Sequence, residues 1–529
     1  MSTASLDGAR PRVHPAITLI AVCVSCGLLP ASLTGTSVAL PSIGSHLDAS
    51  LVSLQWVVNA YNLTFASVML AAGSIADLVG RRRMFGSGLV VFTLCTLGAA
   101  LVSDIVVLDL LRALAGVGAA MVLTAASALL AQTFDGPARM RAFGFLGSSF
   151  GLGLALGPSM GGLLVQAGGW RAVFLCHAAI SALVLLSLPF LRESRDPDAT
   201  GVDWPGALTF SGSLFAATLA LVEGPQLGWG DPLVLALLAL AAVLLAGFVL
   251  AEQRQARPMF ELSLLRRPQF VAVSLMPVLL AFGFVCLLVL LPSYFIGING
   301  MSTRAAGLTM LLLSGPVLLL PMAAGVLTRA VSTRVLLGVS LLLVGLGAIW
   351  LTAIDRDSTT ADLAGPLLVI GTGVGISFGL LDGAAVGTVD ASRAGMAAGM
   401  FNTLRLTGET VAIAGMSAVL VSLTRNRLTG GIDRFGEPYA HSVGTLANKA
   451  VQGELGPAAE AVAGGEREAF VGFVSDSYTS AFHTVLWILA AVCLLGAPGI
   501  VWMLRERAGS HPPVAGPERE PQAQALSAG

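Results

Sequence analysis

The sequence predicts an all-α polytopic membrane protein, and three observations lead to that fold class. Hydrophobic residues make up 55% of the 529-residue chain, charged residues only 11%, and the mean hydropathy is +0.84. Soluble domains contain about 25% charged residues, so this composition excludes an ordinary soluble protein. The apolar residues also fall into runs of roughly 20, which is the length that a helix needs to cross a bilayer.

Fourteen such runs divide the chain into three parts. We expect a six-helix half at residues 1–192, a two-helix insert with cytoplasmic links at 193–268, and a second six-helix half at 269–504. Within the second half we expect a long outer loop at 424–478, and a disordered cytoplasmic tail at 505–529. The predicted spans are 16–40, 53–73, 84–103, 107–131, 142–165, 172–191, 206–223, 233–252, 269–294, 306–328, 335–354, 363–387, 395–423 and 480–504.

The arginines of the short loops predict the orientation, because basic residues are retained on the cytoplasmic side of a membrane. With the N-terminus inside, the short inner segments hold eighteen arginines, and the short outer segments hold only Arg171, Arg304 and Arg356. The long loop does not count against this rule, since long loops are translocated largely regardless of their charge. Both termini are therefore expected in the cytoplasm.

The fifth predicted span is rich in glycine, although glycine weakens a water-exposed helix. Gly153, Gly157 and Gly161 recur every four residues and line one helix face, where a neighbouring helix can approach to backbone contact. Pro158 bends the same helix, and Gly162 follows the third glycine of the series. Two interpretations explain this spacing equally well. The helix is either a tightly packed element with a purely structural role or one with a functional role.

The same segment, Gly-xxx-Gly-Pro-xx-Gly-Gly at residues 153–162, resembles the antiporter signature in the fifth helix of drug exporters of the major facilitator superfamily. The resemblance implies a leak-tight seam between two halves of a transporter, which favours exchange over uniport. The whole arrangement resembles the fourteen-span branch of drug:proton antiporters in that family. The implied fold has two parallel six-helix halves, with spans seven and eight inserted between them.

An internal repeat supports the two halves. Residues 73–82, after the second span, correspond to residues 325–334, after the second span of the last six. The later copy retains chiefly the first glycine and the last arginine, Gly325 and Arg334. Parallel repeats of this kind relate the two halves of such transporters.

The loop GSIADLVGRRR at residues 73–83 matches the family's signature between spans two and three. Its glycines permit a tight turn, and its acid can form charge-assisted hydrogen bonds with a neighbouring helix end. The resemblance implies a latch that holds the outward-open state, while a solvated charge cluster that only sets topology is the alternative. The residues of the predicted latch are Gly73, Asp77, Gly80, Arg81 and Arg82.

Arg112 lies in the fourth predicted span, where LRALAGVGA at residues 111–119 resembles the family's fourth-span signature. An arginine at the centre of a span costs at least ~2.5 kcal/mol, so we expect Arg112 to face a polar partner or to reach the outer interface. The resemblance associates this arginine with proton transfer and with an acid in the first span. Ser32 stands where that acid is expected. Either another acid carries the proton or the protein does not use protons in the family's manner.

Two acids of the second half can replace the missing one. Asp382 falls in the last turns of the twelfth predicted span, and Glu409 falls well inside the thirteenth. Arg405 precedes Glu409 by four residues, so the two can pair on one helix face. This pair is either a static neutralising contact or one that substrate or proton entry breaks. We expect proton coupling at Glu409 or Asp382 and favour Glu409, because it lies deeper in its span.

Neutral polar residues of the first two spans are candidates for lining a substrate cavity, and they are Ser32, Thr36, Asn59 and Asn62. Asn59 and Asn62 are three residues apart on one helix face. Their amides can hydrogen-bond a ligand, although asparagines also bridge helices.

Together these patterns predict a secondary active efflux transporter of the plasma membrane that confers antibiotic resistance. We expect it to export a small organic molecule by alternating access, in exchange for protons that enter the cell. We expect the transporter to be a monomer in the lipid bilayer. The alternative is a transporter-derived receptor or assembly factor that binds a ligand or partner without net transport. The sequence contains neither metal-ligand spacing nor a nucleophile signature, and it predicts no enzyme activity, cofactor, metal or nucleic-acid partner.

Overall fold

The computed structural model describes residues 14–49, 51–195, 203–255, 262–328, 330–387, 394–435, 443–453, 462 and 466–505. These residues form an almost entirely helical protein. The helices of the first half are α1 (Pro15–Leu47), α2 (Leu51–Val79), α3 (Arg81–Leu101), α4 (Ile105–Thr133) and α5 (Gly136–Leu185). Those of the insert are α6 (Trp204–Leu227) and α7 (Pro232–Arg254).

The second half begins with α8 (Pro268–Leu280), which a π-helical turn at Ala281–Val285 joins to α9 (Cys286–Gly297). The remaining helices are α10 (Thr303–Leu327), α11 (Thr333–Leu351), α12 (Thr360–Phe378), α13 (Leu381–Gly387), α14 (Ala394–Thr429), α15 (Val443–Gln452) and α16 (Arg467–Met503). Buried apolar side chains from both halves form one continuous cluster.

Short polar side chains fix where several helices begin. The carboxylate of Asp104 accepts a hydrogen bond from the backbone nitrogen of Val107 at 2.9 Å and caps α4. Asp231 caps α7 in the same way, through the backbone nitrogen of Leu233 at 2.8 Å. Such caps satisfy backbone donors that have no partner inside the helix.

The helix α5 contains a break that the sequence predicts as a loop. At 1.5 Å per residue its 50 residues extend ~75 Å, more than twice the hydrocarbon thickness of a bilayer. Gly168 and Gly169 have non-helical backbone angles, and the φ of Gly169 is +71°, which glycine adopts without steric strain. The break lies between the spans predicted at 142–165 and 172–191.

Among the described residues, 12 helices are long and apolar enough to cross a membrane, or up to 13 if the bent pair Ser53–Met69 and Ala71–Val79 forms one span. This count of candidate spans is lower than the fourteen predicted spans. It takes the broken α5 as one helix, whereas the sequence predicts two spans there. The all-α, polytopic fold class is confirmed.

Two boundaries differ from prediction because hydropathy does not report helix breaks or polar helix ends. The span predicted at 363–387 is interrupted at residues 379–380, and Asp382 therefore lies in the first turn of α13 rather than in the last turns of a longer helix. The loop predicted at 424–478 is shorter than expected, since α14 extends to Thr429 and α16 already begins at Arg467. Between them, α15 buries apolar side chains on one face.

Part of the predicted tail lies outside the described residues, which end at Arg505.

Candidate functional site

Arg112 is buried in the first half, with 1% of its surface exposed. Its Nε donates a hydrogen bond to the carbonyl oxygen of Val57 at 3.0 Å, and its Nη1 donates one to the Oγ of Ser32 at 3.1 Å. The guanidinium carbon lies 4.2 Å from the centre of the Tyr61 ring, a cation–π distance. The side chain therefore turns inward to α1 and α2 and does not reach the outer interface.

Ser32 thus contacts the arginine from the position of the missing acid. A serine hydroxyl can accept a hydrogen bond, but it has no charge to balance the guanidinium. In the part of the chain that the structure describes, no carboxylate forms an ion pair with Arg112, and the Nη2 of Arg112 has no hydrogen-bond partner. The first half therefore buries a cation that neutral oxygens hold in place.

Asp109 is an acid that the sequence analysis missed. It lies three residues before Arg112 on α4, so the two side chains share one helix face, and their charges interact. Asp109 is half-buried, and one of its carboxylate oxygens accepts no hydrogen bond from the described residues. The three-residue spacing in the sequence is the signal that reveals it.

The predicted cavity residues have different surroundings. The hydroxyl of Thr36 donates to the backbone oxygen of Ser32 at 2.6 Å, so both hydroxyls have partners within the protein. Asn59 is half-buried. Asn62 is buried, and its Oδ1 has no hydrogen-bond partner among the described residues. Of the four, Asn62 retains a buried polar atom that a ligand can satisfy.

Arg405 is buried in the second half, and it pairs with Asp382. Its Nη1 lies 3.6 Å from the Oδ2 of Asp382, with side-chain exposures of 1% and 3%. This separation is an ion pair but is too long for a good hydrogen bond. The predicted Arg405–Glu409 pair is therefore wrong. A four-residue spacing permits a pair on one helix, but a carboxylate from the neighbouring α13 takes the guanidinium instead.

Glu409 lies one turn beyond Arg405 on α14 and is also buried. Its charge interacts with that of Arg405, although no described residue lies within ion-pair distance of Glu409. The second half therefore holds two buried carboxylates around one guanidinium. A carboxylate can take up and release a proton, whereas an arginine stays charged. This cluster can change its net charge, and that is the chemistry a proton-coupled transporter needs.

The glycines of the antiporter-like segment pack against α1 of the same half. A side chain at Gly153 would overlap the backbone oxygen of Gly27, and one at Gly157 would overlap the hydroxyl of Thr34. A Cβ at Gly161 would lie 2.6 Å from the backbone oxygen of Gly35. The close approach predicted for this face is present. Its partner is α1, so at these three glycines the predicted seam between the halves is wrong.

A second face of α5 contacts the other half. A Cβ at Gly151 would lie 2.5 Å from the ring of Phe378, and the hydroxyl of Ser159 donates to the backbone oxygen of Gly307 at 2.9 Å. Gly147, four residues before Gly151, faces Asp382. The four-residue series of small residues at 147, 151, 155 and 159 is the signal that the sequence analysis missed.

Pro158 and Gly162 complete the antiporter-like segment, and both lie inside α5. Despite Pro158, the backbone angles of α5 are non-helical only at Gly168 and Gly169 among the described residues.

The predicted latch makes its contacts at the end of α2 and the beginning of α3. Arg81 donates to Asp77 through Nε and Nη2, at 3.1 and 3.0 Å. The φ of Gly80 is +117°, and a side chain there would collide with the carboxylate of Glu193. The same carboxylate accepts a hydrogen bond from the backbone nitrogen of Arg82 at 3.2 Å. Glu193, beyond the end of α5, is a residue that the sequence analysis did not associate with the loop.

Gly73 differs from Gly80, since a Cβ at Gly73 would have no neighbour within 4 Å among the described residues. Of the two latch glycines, therefore, only Gly80 is required by a close approach and an unusual φ.

Comparisons with known proteins agree with this architecture. The family model of the Major Facilitator Superfamily matches residues 21–412, well over half of the chain. The multidrug resistance protein Stp of Mycobacterium tuberculosis is 32% identical over 421 residues, which cover 79% of this chain and 78% of that protein. The tetracenomycin C resistance and export protein of Streptomyces glaucescens is 28% identical over 498 residues, 93% of this chain and 91% of that protein.

Among solved structures, the human organic anion transporter MFSD10 (TETRAN) matches with a TM-score of 0.56 and 15% sequence identity. The match covers 92% of this chain and 99% of the human one. At this identity the likeness concerns the fold alone.

Proposed function

The chain belongs to the major facilitator superfamily, and on that premise we propose that it is a secondary active transporter that exports a drug-like or natural-product molecule. The observation that supports export, rather than uptake, is the similarity to a resistance and export protein over 93% of this chain. The similarity to a multidrug resistance protein supports a small organic substrate.

Proton entry drives the export in this proposal. A charge that crosses the membrane with the potential releases ~2.3 kcal/mol per 100 mV, so one proton supports an appreciable substrate gradient. Antiport requires that proton and substrate weaken each other's binding, which is a reciprocal linkage. Asp382 and Glu409 are the proton carriers, and the buried ion pair of Asp382 with Arg405 supports this assignment.

Arg112 has a different role in the first half. Its neutral partners support a fixed positive charge that shapes the cavity electrostatically and takes no part in proton release. Asn62 supplies a neutral hydrogen-bond acceptor to the substrate. Asp77 and Arg81 hold the latch, which acts on the balance between conformations rather than on substrate affinity.

The arginine distribution in the short loops supports two cytoplasmic termini and a latch on the cytoplasmic side. The working unit is a monomer in the plasma membrane. A reporter fused after Arg505 should be cytoplasmic, and a single cysteine at Gly444, on α15, should react with an impermeant maleimide added outside. Labelling only from the cytoplasmic side would contradict this orientation.

Efflux from intact cells tests the proposed activity. Cells that make the protein should retain less of at least one compound in a panel of antibiotics and fluorescent dyes. A protonophore should abolish the difference. The matched control is the Asp382→Asn/Glu409→Gln variant at equal expression, which should not lower retention. Saturable binding of a panel compound without any efflux would instead favour a receptor or assembly factor.

Everted vesicles test the coupling separately. Addition of a transported compound to acid-loaded vesicles should release internal protons, and the double variant should release none. Efflux without proton movement would leave the exporter in place and remove the antiport mechanism.

A further inference from the structure

We propose that Gly147 and Phe150 of α5 position the Asp382–Arg405 ion pair, so that protonation of Asp382 opens the contact between the two halves. This inference rests on the antiport function proposed above and deepens it. It assigns a role to two residues of α5 that precede the antiporter-like segment, which neither the sequence motif nor the relatives' names address.

Gly147 leaves the space that the carboxylate occupies. A Cβ at this position would overlap the Oδ2 of Asp382, and it would lie 2.9 Å from the Cγ and 3.2 Å from the backbone oxygen of Phe378. Any side chain at residue 147 therefore displaces the carboxylate from its place beside Arg405. Gly147 belongs to the first half and Asp382 to the second, so this contact joins the two halves.

Phe150 holds the other member of the pair. Its ring centre lies 3.9 Å from the guanidinium carbon of Arg405, which is close for a cation–π contact. Both Phe150 and Arg405 are buried. The first half therefore contributes a glycine and an aromatic ring, one turn apart on α5, to an ion pair whose two charges both come from the second half.

The pair is incompletely satisfied in this arrangement. Among the described residues, the Nε and Nη2 of Arg405 and the Oδ2 of Asp382 have no hydrogen-bond partner. Such a pair depends on its mutual attraction, because removing one member of a buried pair leaves the other charge uncompensated. Water would stabilise an uncompensated guanidinium at Arg405. Water can reach this group only if α5 separates from α13 and α14.

The surroundings of Asp382 identify it as the group that changes charge. The charged or titratable groups that face it from the described residues are Arg405 on α14 and the Cys26 thiol on α1, and Glu409 lies beside Arg405. Arginine stays protonated, so a proton at Asp382 removes the charge of the carboxylate that lies within ion-pair distance of the guanidinium, and Glu409 lies beyond that distance. Protonation therefore favours separation of the halves at this contact, and deprotonation restores it.

The contact lies toward the end of the bundle that carries the latch. The helix α3 begins at the latch, α4 runs back to the same end, and α5 starts there at Gly136. Gly147 is eleven residues further along, ~16 Å from the start of the helix. With a cytoplasmic latch, a proton from outside opens the inner side of the transporter. Its release to the cytoplasm lets the halves close around a newly bound substrate, which is the order that antiport requires.

Alkylation of Cys26 measures this opening directly. Cys26 is buried on α1, and all six cysteines of the chain are free, so replacing the other five by serine gives a single-thiol parent. The probe is N-ethylmaleimide on purified protein, without substrate or gradient. We expect Gly147→Ala and Asp382→Asn each to raise the alkylation rate about tenfold, equivalent to ~1.4 kcal/mol in the closing equilibrium. Phe150→Leu should also raise it.

The matched control is Gly144→Ala on the same helix, where a new Cβ would come no closer than 3.9 Å to any described neighbour, the nearest being the backbone oxygen of Gly379. It should label like the parent. Acidification should bring the parent rate toward that of Asp382→Asn when the two are measured at the same pH.

Equal labelling of the parent, Gly147→Ala and Phe150→Leu would overturn the proposal, as would an equal rise in Gly144→Ala. Phe150→Leu adds no atom to the interface and carries the test even if Gly147→Ala does not fold. The assay uses neither substrate nor a proton gradient. Its failure therefore leaves the export proposal to the efflux measurement, and loss of efflux leaves this result unchanged.

Discussion

Among the described residues, each half of the molecule buries one arginine, and the two arginines are balanced in different ways. Arg112 donates hydrogen bonds to neutral oxygens, including the hydroxyl of Ser32, whereas Arg405 faces the carboxylate of Asp382. An aromatic ring lies against each guanidinium. The hydrogen bonds of Arg112 therefore do not depend on a proton, and Asp109, whose charge interacts with that of Arg112, forms no ion pair with it among the described residues. The ion pair of the second half depends on a carboxylate that a proton can neutralise.

Removal of Arg405 should have the largest effect on stability. Arg405→Leu leaves a buried carboxylate without its partner, and such losses cost about 3–5 kcal/mol. Arg112→Leu should cost less, because the groups that it leaves unpaired are neutral oxygens. Thermal unfolding of the purified variants in detergent compares the two.

A compensating substitution controls for lost packing at the same site. Arg405→Leu/Asp382→Asn removes both members of the ion pair and should recover much of the stability that Arg405→Leu loses. Equal losses for Arg405→Leu and Arg112→Leu, with no recovery in the double variant, would show that the two arginines are balanced alike.

Ser32→Ala should have an intermediate effect. It leaves the Nη1 of Arg112 without an acceptor, and an unsatisfied buried donor costs about 1–3 kcal/mol. Ser37→Ala on the same helix is the control, because among the described residues the Ser37 hydroxyl bonds only to the backbone oxygen of Leu33 in its own helix. Both variants should retain proton-coupled transport in vesicles. Loss of coupling in Ser32→Ala alone would make the first half part of the proton path.

Ser32→Asp should change stability least, since the desolvation of a new buried ion pair roughly offsets its attraction. It should make the first half resemble the second, because it would put a carboxylate beside the Nη1 of Arg112, which lies 3.1 Å from the serine oxygen. We expect a second step in the pH profile of substrate binding that Ser32→Asn does not show. A profile identical to that of the parent would mean that an acid at this site does not titrate with binding.

The sequence predicts the parts of this account that depend on local composition. Apolar runs give the helices, the four-residue glycine series gives the close approach at Gly157, and the positive charge inside an apolar run identifies Arg112 as needing a polar partner. The resemblance puts Ser32 in the place of an acid, and the structure brings its hydroxyl to that arginine.

Contacts between helices distant in sequence are what the sequence does not predict. The spacing of Arg405 and Glu409 permits a pair within α14, but the break after α12 turns Asp382 toward the same guanidinium. Likewise, a glycine series indicates that a helix approaches closely but not which helix. Gly157 therefore meets α1, while Gly147 on another face of α5 meets the second half.

Proton release from purified protein on addition of a transported compound tests the central claim most directly, namely that the second half carries the titratable charge. The parent and Ser32→Ala should acidify a weakly buffered solution when the compound binds. The Asp382→Asn/Glu409→Gln variant should bind the compound without releasing protons, and its affinity should no longer weaken at low pH. Proton release that persists in the folded double variant would contradict the claim and place the proton site elsewhere in the protein.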